Sequence, residues 1–419
     1  MKKKEDKKPW SDYYKEENIR EHFDYPDCSM VDMIMQSAEK WPDNVAYSYY
    51  GHKVTYKNFV RKIEKAARAL KNYGVKEGDR VTICMPNMPE AIFLIYAINK
   101  IGAVCNVIHP LSDHDDIVNA VEATNSTLVF TTDVSALKVE GVKAKVVVCE
   151  VSNSMKPLLR TAYNIKNRKA LRYPAEFIRW KDFLNMGVAY GPIIKRTKDD
   201  PAVIIYSGGT TGKSKGIVLS NLCFNSLATQ CYAVCKEARA GNSILSALPI
   251  FHGFGLCVSI HVPLTLGLKC ILLPKISVGD LNNTIKKKKP NLLPAIPTML
   301  KAMTNNPPLG PDSLSSVKVI LSGSEEAGLR GAKAYAKAHE KEMKEIETVV
   351  VACDTMRDLK DMAVYDRDLS GTLKHDKQVK ALVKQAALNC GFDIPYASIY
   401  LGACDAAAFT QRGIKATGF

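Results

Sequence analysis

Six short runs of mainly apolar, β-branched residues recur along the chain and predict buried strands. They read RVTICMP (80–86), TLVFTT (127–132), KVVVCE (145–150), AVIIYS (202–207), VKVILSG (317–323) and TVVVACD (348–354). Strands that are covered on one face alternate apolar and polar residues, whereas near-continuous apolar runs are typical of sheets covered on both faces. The pattern therefore predicts strands with helices packed on both sides.

Between these runs, apolar residues recur at helical spacing. The segment 56–74 has one apolar face and ends at a glycine, and the segment 89–103 begins with a proline suited to a first helical turn. The apolar face of the first segment consists of Phe59, Ile63, Ala66, Ala67 and Leu70. The lysine run at 286–290 is expected to cap a helix C-terminus, with a lipid contact as the alternative. Strands and helices alternate without an internal repeat, which predicts an α/β fold.

The chain has 419 residues and a formal net charge of +15. That length is usual for two or three domains, and the charge favours acidic partners such as phosphates, anionic lipid or nucleic acid. The sequence has no paired Cys/His fingers and no aromatic RNA-binding strand, which argues against nucleic acid. Residues 325–419 hold 14 basic and 14 acidic residues, so the whole excess lies in residues 1–324. A solvated basic surface is the alternative that requires no partner.

The twelve cysteines are scattered and include no CxxC pair. Cys231 and Cys235 are four residues apart, which suits one face of a helix, while Cys84, Cys257 and Cys270 lie in apolar runs and are expected to be small core residues. This usage predicts a reducing compartment and a cytoplasmic protein.

Neither the N-terminus nor the longest apolar segment is expected to insert into a membrane. The first residues are basic but are not followed by the apolar region of a signal peptide. The segment 253–274 is interrupted by His261, Pro263 and Lys269, which argues against a membrane span.

The segment YSGGTTGKSKG (206–216) follows a predicted strand directly and has the composition of a phosphate-binding loop. Its glycines let backbone N–H groups approach phosphate oxygens, its hydroxyls add donors, and a lysine neutralises charge. The candidate residues are Ser207, Gly208, Gly209, Thr210, Thr211, Gly212 and Lys215. The spacing differs from that of a P-loop NTPase. The alternative is a flexible surface loop.

This segment resembles the ATP-phosphate signature of the adenylate-forming superfamily, specifically the acyl-CoA synthetases. Further similar stretches follow in the family's order over about residues 30–324. They are 54–104, ALPIFHGFGL (247–256), PAIPTML (294–300) and VKVILSGS (317–324). The resemblance implies an adenylate-forming core of stacked α/β subdomains. It also implies that His252 borders an acyl pocket, the alternative being a structural histidine.

The resemblance implies a two-step acid–CoA ligase, with a fatty acid as the expected substrate. A carboxylate attacks the α-phosphate of ATP to give an acyl-adenylate, and the thiol of coenzyme A then takes the acyl group. The first step brings a negatively charged carboxylate to the negatively charged triphosphate of ATP. Backbone donors, Lys215 and Mg²⁺ are expected to offset the repulsion between them.

Residues 325–419 contain no counterpart of three other stretches that the family uses. These are an aromatic-Gly-x-Thr-Glu stretch for Mg²⁺, a Thr-Gly-Asp stretch for the ribose, and a lid with a catalytic lysine. The nearest segment, YDRDLSGT (365–372), has the wrong order. The ligase core is therefore expected to be incomplete and its turnover impaired.

The segment after residue 324 instead resembles the C-terminal half of M28-type zinc aminopeptidases. The resemblance implies a general base at Glu325 and zinc ligands at Glu326 and Asp354, with Asp405 an acid near the site. The other zinc ligands of that family have no counterpart, so Zn²⁺ is expected only if the site is completed. The alternative is that Glu325 and Glu326 stabilise a helix N-terminus.

These patterns predict a basic extension at 1–30, an adenylate-forming core at 31–324 and an aminopeptidase-like segment at 325–419. The junction would lie at 322–325, which makes a fusion, natural or produced by sequence assembly, the working hypothesis. Two functions compete with the ligase: a zinc aminopeptidase fragment, and a non-catalytic nucleotide- or acyl-binding protein. The basic surface would suit peripheral contact with anionic lipid.

Overall fold

The computed structural model describes most of the chain in two units. Described are residues 22–168, 173–186, 194–207, 215–235, 237–274, 278–296, 299, 303, 319–322, 337, 340–345, 349–352, 363–369, 371–389, 392–399 and 404–418. The N-terminal unit comprises 22–294 and 309–320, and the C-terminal unit comprises 1–21, 295–308 and 321–419.

The strands are β1 Val45–Tyr49, β2 His52–Thr55, β3 Arg80–Cys84, β4 Val104–Val107, β5 Leu128–Thr132, β6 Lys145–Cys149, β7 Ile178–Arg179, β8 Pro201–Ser207, β9 Lys215–Ser220, β10 Ser243–Ser246, β11 Lys269–Leu272, β12 Leu292–Ala295, β13 Val319–Ser322, β14 Val349–Ala352, β15 Val364–Asp368, β16 Leu373–Lys374, β17 Tyr396–Ser398 and β18 Lys415–Gly418.

The α-helices are α1 Met30–Lys40, α2 Tyr56–Tyr73, α3 Pro89–Lys100, α4 His114–Ala123, α5 Pro157–Asn167, α6 Trp180–Asn185, α7 Asn221–Val234, α8 Gly253–Leu256, α9 Val262–Thr265, α10 Val278–Lys288, α11 Glu340–Glu345, α12 Lys377–Asn389 and α13 Ala406–Thr410. A 3₁₀ turn spans Ala136–Val139 and a π-helical turn spans Cys257–His261.

All six predicted runs form strands, within the limits of the predicted segments or one residue beyond them. The predicted helices at 56–74 and 89–103 are α2 and α3, and α10 ends in the predicted lysines. The fold is α/β, as expected from the alternation of strands and helices.

The seven-stranded sheet has the order β7-β6-β5-β3-β4-β8-β9. Its neighbours pair in parallel except for β8 and β9, which form an antiparallel hairpin. The central strands β3, β4 and β5 are buried almost throughout. This is the coverage of both faces that the continuous apolar runs predicted.

The six-stranded sheet has the order β13-β12-β10-β11-β1-β2. Strands β1, β10, β11 and β12 run parallel, and β2 is antiparallel to β1 at the edge. Cys270 pairs with Ile244 on one side and with Tyr47 on the other, so the predicted core cysteine lies in the middle of this sheet.

Helices α2 and α3 pack against each other between the two sheets. Helix α2 contacts β1 and β2 of the six-stranded sheet, whereas α3 contacts β3 and β4 of the seven-stranded sheet. Helix α2 starts at the N-cap Thr55 and ends at Gly74, whose φ of 102° suits glycine. Helix α3 is buried from Pro89 to Asn99, as expected for a helix that carries apolar side chains on every face.

A buried amide network joins three helices of this layer. Asn99 of α3 accepts a hydrogen bond from the Val31 N–H at 3.1 Å and donates to the Asn221 side chain at 2.9 Å. Asn221 also accepts from the Met30 N–H at 3.0 Å and donates to the Thr197 carbonyl at 2.9 Å. These amides therefore hold the start of α1 and the start of α7 on the end of α3.

His261 belongs to a neighbouring part of the same network and is completely buried. Its Nε2 lies 3.0 Å from the Asn225 side-chain oxygen, and its Nδ1 lies 3.2 Å from the Tyr96 hydroxyl. Asn225 in turn donates to the Cys28 carbonyl at 3.0 Å. A neutral imidazole with its proton on Nε2 satisfies every one of these contacts. Burial lowers the pKa of His261 to about 3.

The C-terminal unit contains two small groups of strands. Strand β15 pairs with β16 in an antiparallel hairpin and with β17 in parallel, and β14 pairs with β18 in parallel. Helices α12 and α13 pack on β18. Among the described residues of this unit, one apolar cluster consists of Cys404, Ala406, Ala408, Phe409, Ile414 and Ala416.

The apolar segment 253–274 forms α8, the π-helical turn, α9 and β11. Within the described residues, no helix is both long enough and apolar enough to cross a membrane.

Since the pKa of His261 is lowered from 6.5 to about 3, the unfolded chain binds a proton between these values that the folded chain excludes. The free energy of unfolding should therefore fall as pH falls through this window, by roughly 1 kcal/mol per pH unit. We expect His261→Gln to flatten this dependence in denaturant titrations between pH 7 and 5. His114→Gln, at an exposed histidine, is the control. Equal slopes in both variants would contradict the assignment.

Candidate active site

The predicted phosphate-binding segment connects the two strands of an antiparallel hairpin. Ser207 is the last residue of β8 and pairs with Lys215, the first residue of β9. Lys215 is exposed. The seven residues between them, which include Gly208, Gly209, Thr210, Thr211 and Gly212, lie outside the described residues. The pairing brings both ends of this glycine- and hydroxyl-rich connection together, with a lysine at one of them.

The hairpin lies at the carboxyl edge of the seven-stranded sheet. Strand β8 runs parallel to β4, with Cys105 opposite Val203 and Asn106 opposite Ile204, and β4 runs parallel to β3. The carboxyl ends of these three strands therefore point the same way. In open parallel sheets, ligands bind in the crevice outside this edge.

Asn87 binds the predicted acyl-pocket segment, residues 247–256, to the carboxyl edge of the seven-stranded sheet. It follows β3 and is buried, and its side-chain amide donates to the carbonyls of Ser246 and Leu248 at 3.1 and 2.7 Å. Its oxygen accepts from the Ile250 N–H at 2.9 Å. One side chain thus satisfies three backbone groups of the chain that leaves β10 of the other sheet.

A second contact to this segment comes from the end of β4. The ring of His109 lies against that of Phe251, with 4.0 Å between the centroids. The His109 Nδ1 accepts from the Leu111 N–H at 2.8 Å. Burial, and then the charge of Lys138, lowers the pKa of His109, so this ring is neutral at pH 7.

His252 is exposed at the start of α8, where its Nδ1 accepts from the Phe254 N–H at 3.2 Å. The neutral ring therefore carries its proton on Nε2. Gly255, one turn on, is buried against the Pro249 carbonyl, which a Cβ would overlap. Glycine is thus required here for the tight turn that presents Phe251 and His252. That His252 borders an acyl pocket stays a prediction.

Positive charge lies at the same edge of the sheet. Lys138 donates to the carbonyls of Leu111 and Ser112 at 3.3 and 2.8 Å, in the segment that follows β4. Lys215 adds a second cation at this edge, whereas three carboxylates at the start of α4 follow the Ser112 carbonyl that Lys138 contacts. They belong to Asp113, Asp115 and Asp116. The backbone and hydroxyl donors that the sequence proposes for phosphate belong to the connection between β8 and β9.

The predicted peptidase-like residues Glu325, Glu326 and Asp354 lie outside the described residues. Asp405 is described and directly precedes α13. The sequence analysis missed Asn87 and His109. The sequence contained a signal for Asn87. A polar residue between a buried strand and a helix that begins with proline is placed to form hydrogen bonds at the end of the strand. No signal existed for His109, since its partner is 142 residues further along the chain.

Comparisons with known proteins identify the family of this sequence. Residues 34–360 match the family described as AMP-binding enzyme, a range that continues past residue 324, where the ligase-like core was predicted to end. A long-chain-fatty-acid–CoA ligase of Bacillus subtilis (strain 168) is 28% identical over 331 residues, which cover 76% of this chain and 59% of that protein. The chain spans roughly half the length of other curated relatives, such as 48% of a 4-coumarate–CoA ligase of Solanum tuberosum.

Solved structures show the same fold. The anthranilate CoA ligase AuaEII in complex with anthranoyl-AMP aligns with a TM-score of 0.63 at 19% identity, covering 75% of this chain and 58% of that chain. The N-terminal domain of FACL13 from Mycobacterium tuberculosis aligns with a TM-score of 0.56 at 22% identity, covering 74% of each chain. These structures support the adenylate-forming architecture that the sequence predicted. Because the family match spans well over half of the sequence, the chain belongs to the AMP-binding enzymes.

Proposed function

We propose that the protein is an ATP-dependent acid–CoA ligase that works through an acyl-adenylate and that its acid is a fatty acid. We also propose that its turnover is impaired, because residues 325–419 contain no counterpart of the Mg²⁺, ribose and lid stretches of the family. The observation that carries the ligase proposal is the convergence at one sheet edge of the β8–β9 hairpin and the segment 247–256. The first has the composition of a phosphate site, and the second borders the acyl group in the resemblance noted above. Similarity to the Bacillus ligase supports a fatty acid as the substrate class.

The hairpin would hold the triphosphate. Backbone N–H groups and hydroxyls of residues 207–212 would donate to phosphate oxygens, and Lys215 at the start of β9 would neutralise charge. The pairing of Ser207 with Lys215 supports this proposed site for the triphosphate, because it fixes both ends of the loop. Bound Mg²⁺ would supply further charge neutralisation on the phosphates.

The acid would approach from the segment that contains Phe251 and His252. In the first step its carboxylate oxygen forms a bond to the α-phosphorus and pyrophosphate leaves. In the second step the sulfur of coenzyme A bonds to the acyl carbon and AMP leaves. The protein must hold the two anions within bonding distance, so accurate placement of this segment against the hairpin decides the rate. Asn87 supplies that placement.

We expect fatty acids to stimulate exchange of labelled pyrophosphate into ATP more than coumarate or anthranilate does. Lys215→Ala should lower the exchange by about tenfold or more, because one cation is lost from the phosphate site. Lys53→Ala, at an exposed lysine of β2, is the matched control. If no acid supports exchange and ATP does not bind in calorimetry, the ligase proposal fails. Tight ATP binding without exchange would select the non-catalytic nucleotide-binding alternative.

Asn87→Ala should weaken both stability and the acid site. Each of the three backbone groups that lose a partner costs about 1–3 kcal/mol, so the free energy of unfolding should drop by about 3 kcal/mol or more. In folded protein we expect a higher KM for the acid with a smaller change in KM for ATP. Asn58→Ala, at an exposed asparagine of α2, should leave both constants unchanged. Equal KM values for wild type and Asn87→Ala would contradict a positioning role.

The aminopeptidase resemblance of residues 325–419 remains a separate proposal. It rests on Glu325, Glu326 and Asp354, none of which the structure describes, and on the CDAAAF stretch. The proposed domain limit at 324 and the fusion depend on it, whereas the proposed limit at 30 depends on where the ligase-like sequence begins. Hydrolysis of amino-acyl anilides that requires added Zn²⁺ and is lost in Glu325→Gln would support it. Absence of hydrolysis at saturating Zn²⁺ would remove it.

Helix α5 supports the proposal that the protein contacts anionic lipid surfaces. No residue of this helix is buried, and Leu158 and Ile165 are 86% and 71% exposed. They are seven residues apart and so share one face, while Tyr163 packs on the core from another face. Lys156, Lys166 and Arg168 lie within or beside the helix. An exposed apolar face flanked by basic residues is typical of helices that lie in a membrane interface.

The ten cysteines that the structure describes are free thiols, which supports a reducing, cytoplasmic setting for this surface. A fatty acid substrate partitions into membranes, so a ligase held at their surface would meet it there. The occupant we propose for the exposed face of α5 is therefore the cytoplasmic side of an anionic bilayer.

The double variant Leu158→Gln/Ile165→Gln should bind vesicles that contain phosphatidylglycerol about tenfold less tightly than wild type in co-sedimentation, because two apolar side chains no longer enter the interface. Binding of the wild type should weaken as salt rises. Leu382→Gln, at a leucine of α12 that is 61% exposed, is the control. Unchanged binding of the double variant would exclude α5 as the contact.

A further inference from the structure

Three buried side chains with metal-binding atoms meet in the C-terminal unit. Asp368, His375 and Cys404 are 0%, 2% and 1% exposed. The His375 Nε2 lies 3.1 Å from the Asp368 Oδ2, and the Cys404 Sγ lies 2.9 Å from the same oxygen. One ligand atom from each of the three residues lies within 4.8 Å of the others. None of these residues belongs to the adenylation site described above.

The topology of the unit brings the three residues together. Asp368 ends β15 and pairs with Leu373 of β16, and His375 follows that strand directly. The backbone N–H of His375 donates to the Asp366 carbonyl at 3.1 Å. This bond holds His375 close to Asp368. Cys404 directly precedes the turn into α13 and donates its own N–H to both Asp368 oxygens, at 3.3 and 3.2 Å.

A second layer of hydrogen bonds orients these atoms. The His375 Nδ1 lies 2.8 Å from the Thr410 hydroxyl, and the Asp368 Oδ1 accepts from the Leu369 N–H at 2.7 Å. Such partners on the far side of a histidine and a carboxylate are the usual support of metal ligands, because they fix the imidazole tautomer and the direction of each lone pair.

The cluster concentrates polar groups on one buried carboxylate. The Asp368 side chain lies within hydrogen-bond distance of the His375 ring and the Cys404 thiol, and it also accepts from two backbone N–H groups. Lys380 makes its ion pair with Asp366. A buried carboxylate is stabilised when it coordinates a cation.

This arrangement is unlike that of a cysteine nucleophile. Asp368 lies between Cys404 and His375, so the imidazole is not placed to take the thiol proton, and the thiol is buried. Sulfur, imidazole nitrogen and carboxylate oxygen are, however, the three donor types that Zn²⁺ accepts in proteins, at bond lengths of about 2.0–2.3 Å. Donors held at such bond lengths are about 3–4 Å apart, close to the separations found here.

We propose that Asp368, His375 and Cys404 bind one divalent, borderline-soft metal ion of the Zn²⁺ class and that the ion stabilises the C-terminal unit. On binding, the S–H bond of Cys404 breaks and its proton passes to solvent. The His375 proton moves from Nε2 to Nδ1, where the Thr410 hydroxyl accepts it. The bound ion adds two positive charges and the released proton removes one, so the buried cluster gains a net charge of +1. The proposed ligands include none of the residues named for the aminopeptidase-like site, and the proposal does not depend on the ligase function.

The test uses the full chain produced in medium that contains Co²⁺, which reports thiolate ligation by its absorption. We expect about one Co²⁺ per chain, a thiolate-to-metal charge-transfer band, and visible bands of tetrahedral Co²⁺. Cys404→Ser should lose the charge-transfer band. Cys223→Ser, at an exposed thiol in α7, should keep it. A band that survives in Cys404→Ser, or Co²⁺ absent from the wild type, overturns the proposal.

Two further measurements remain decisive if Cys404→Ser does not fold. X-ray absorption of the wild-type zinc protein should show one sulfur and otherwise nitrogen or oxygen neighbours, and a shell without sulfur overturns the proposal. Thr410→Val should retain the charge-transfer band but weaken metal affinity by about 10- to 100-fold, the usual effect of losing an outer hydrogen-bond partner. Unchanged metal affinity would contradict the proposal that the Thr410 hydroxyl orients His375 as a metal ligand.

Discussion

The complete burial of helix α3 is the constraint on which the N-terminal unit depends. A helix covered on all sides must find partners inside the protein for each of its polar side chains, since water cannot supply them. Glu90 accepts from the Ser154 hydroxyl at 2.6 Å, Tyr96 lies at hydrogen-bond distance from His261, and Asn99 binds both α1 and α7. Each partner comes from a different part of the chain, so the helix fixes the positions of several elements at once.

The same helix sets the geometry of the candidate active site. Chain leaving β3 turns at Asn87 before α3 begins at Pro89, and this turn is the point at which segment 247–256 is attached. The seven-stranded sheet contributes the β8–β9 hairpin, and the six-stranded sheet sends the segment with Phe251 and His252 toward the same edge. In the proposed ligase, such rigid attachment would keep the carboxylate within reach of the triphosphate.

The C-terminal unit presents a different physical problem. It buries a carboxylate, an imidazole and a thiol at one point. Burying a charge is costly unless it is paired or coordinates a metal. A bound cation would turn the buried negative charge into a stabilising contact between the β15–β16 hairpin and the start of α13. The longest of the three segments of this unit begins at residue 321, close to the point in the sequence where one resemblance gives way to the other.

The sequence by itself determined the strands and the principal helices, and it predicted a phosphate-binding loop in the segment that connects β8 and β9. These depend on local periodicity, on caps such as Gly74, and on the freedom that glycine gives to a loop. It also indicated the family, through stretches in a recognisable order. The tertiary structure decided which distant polar groups meet: Asn87 reaches a carbonyl 161 residues away, and Cys404 reaches Asp368 across 36 residues. A local pattern can mark a residue such as Asn87, but it does not identify the distant partner, because partners are selected by burial and hydrogen-bond geometry that exist only after the chain has folded.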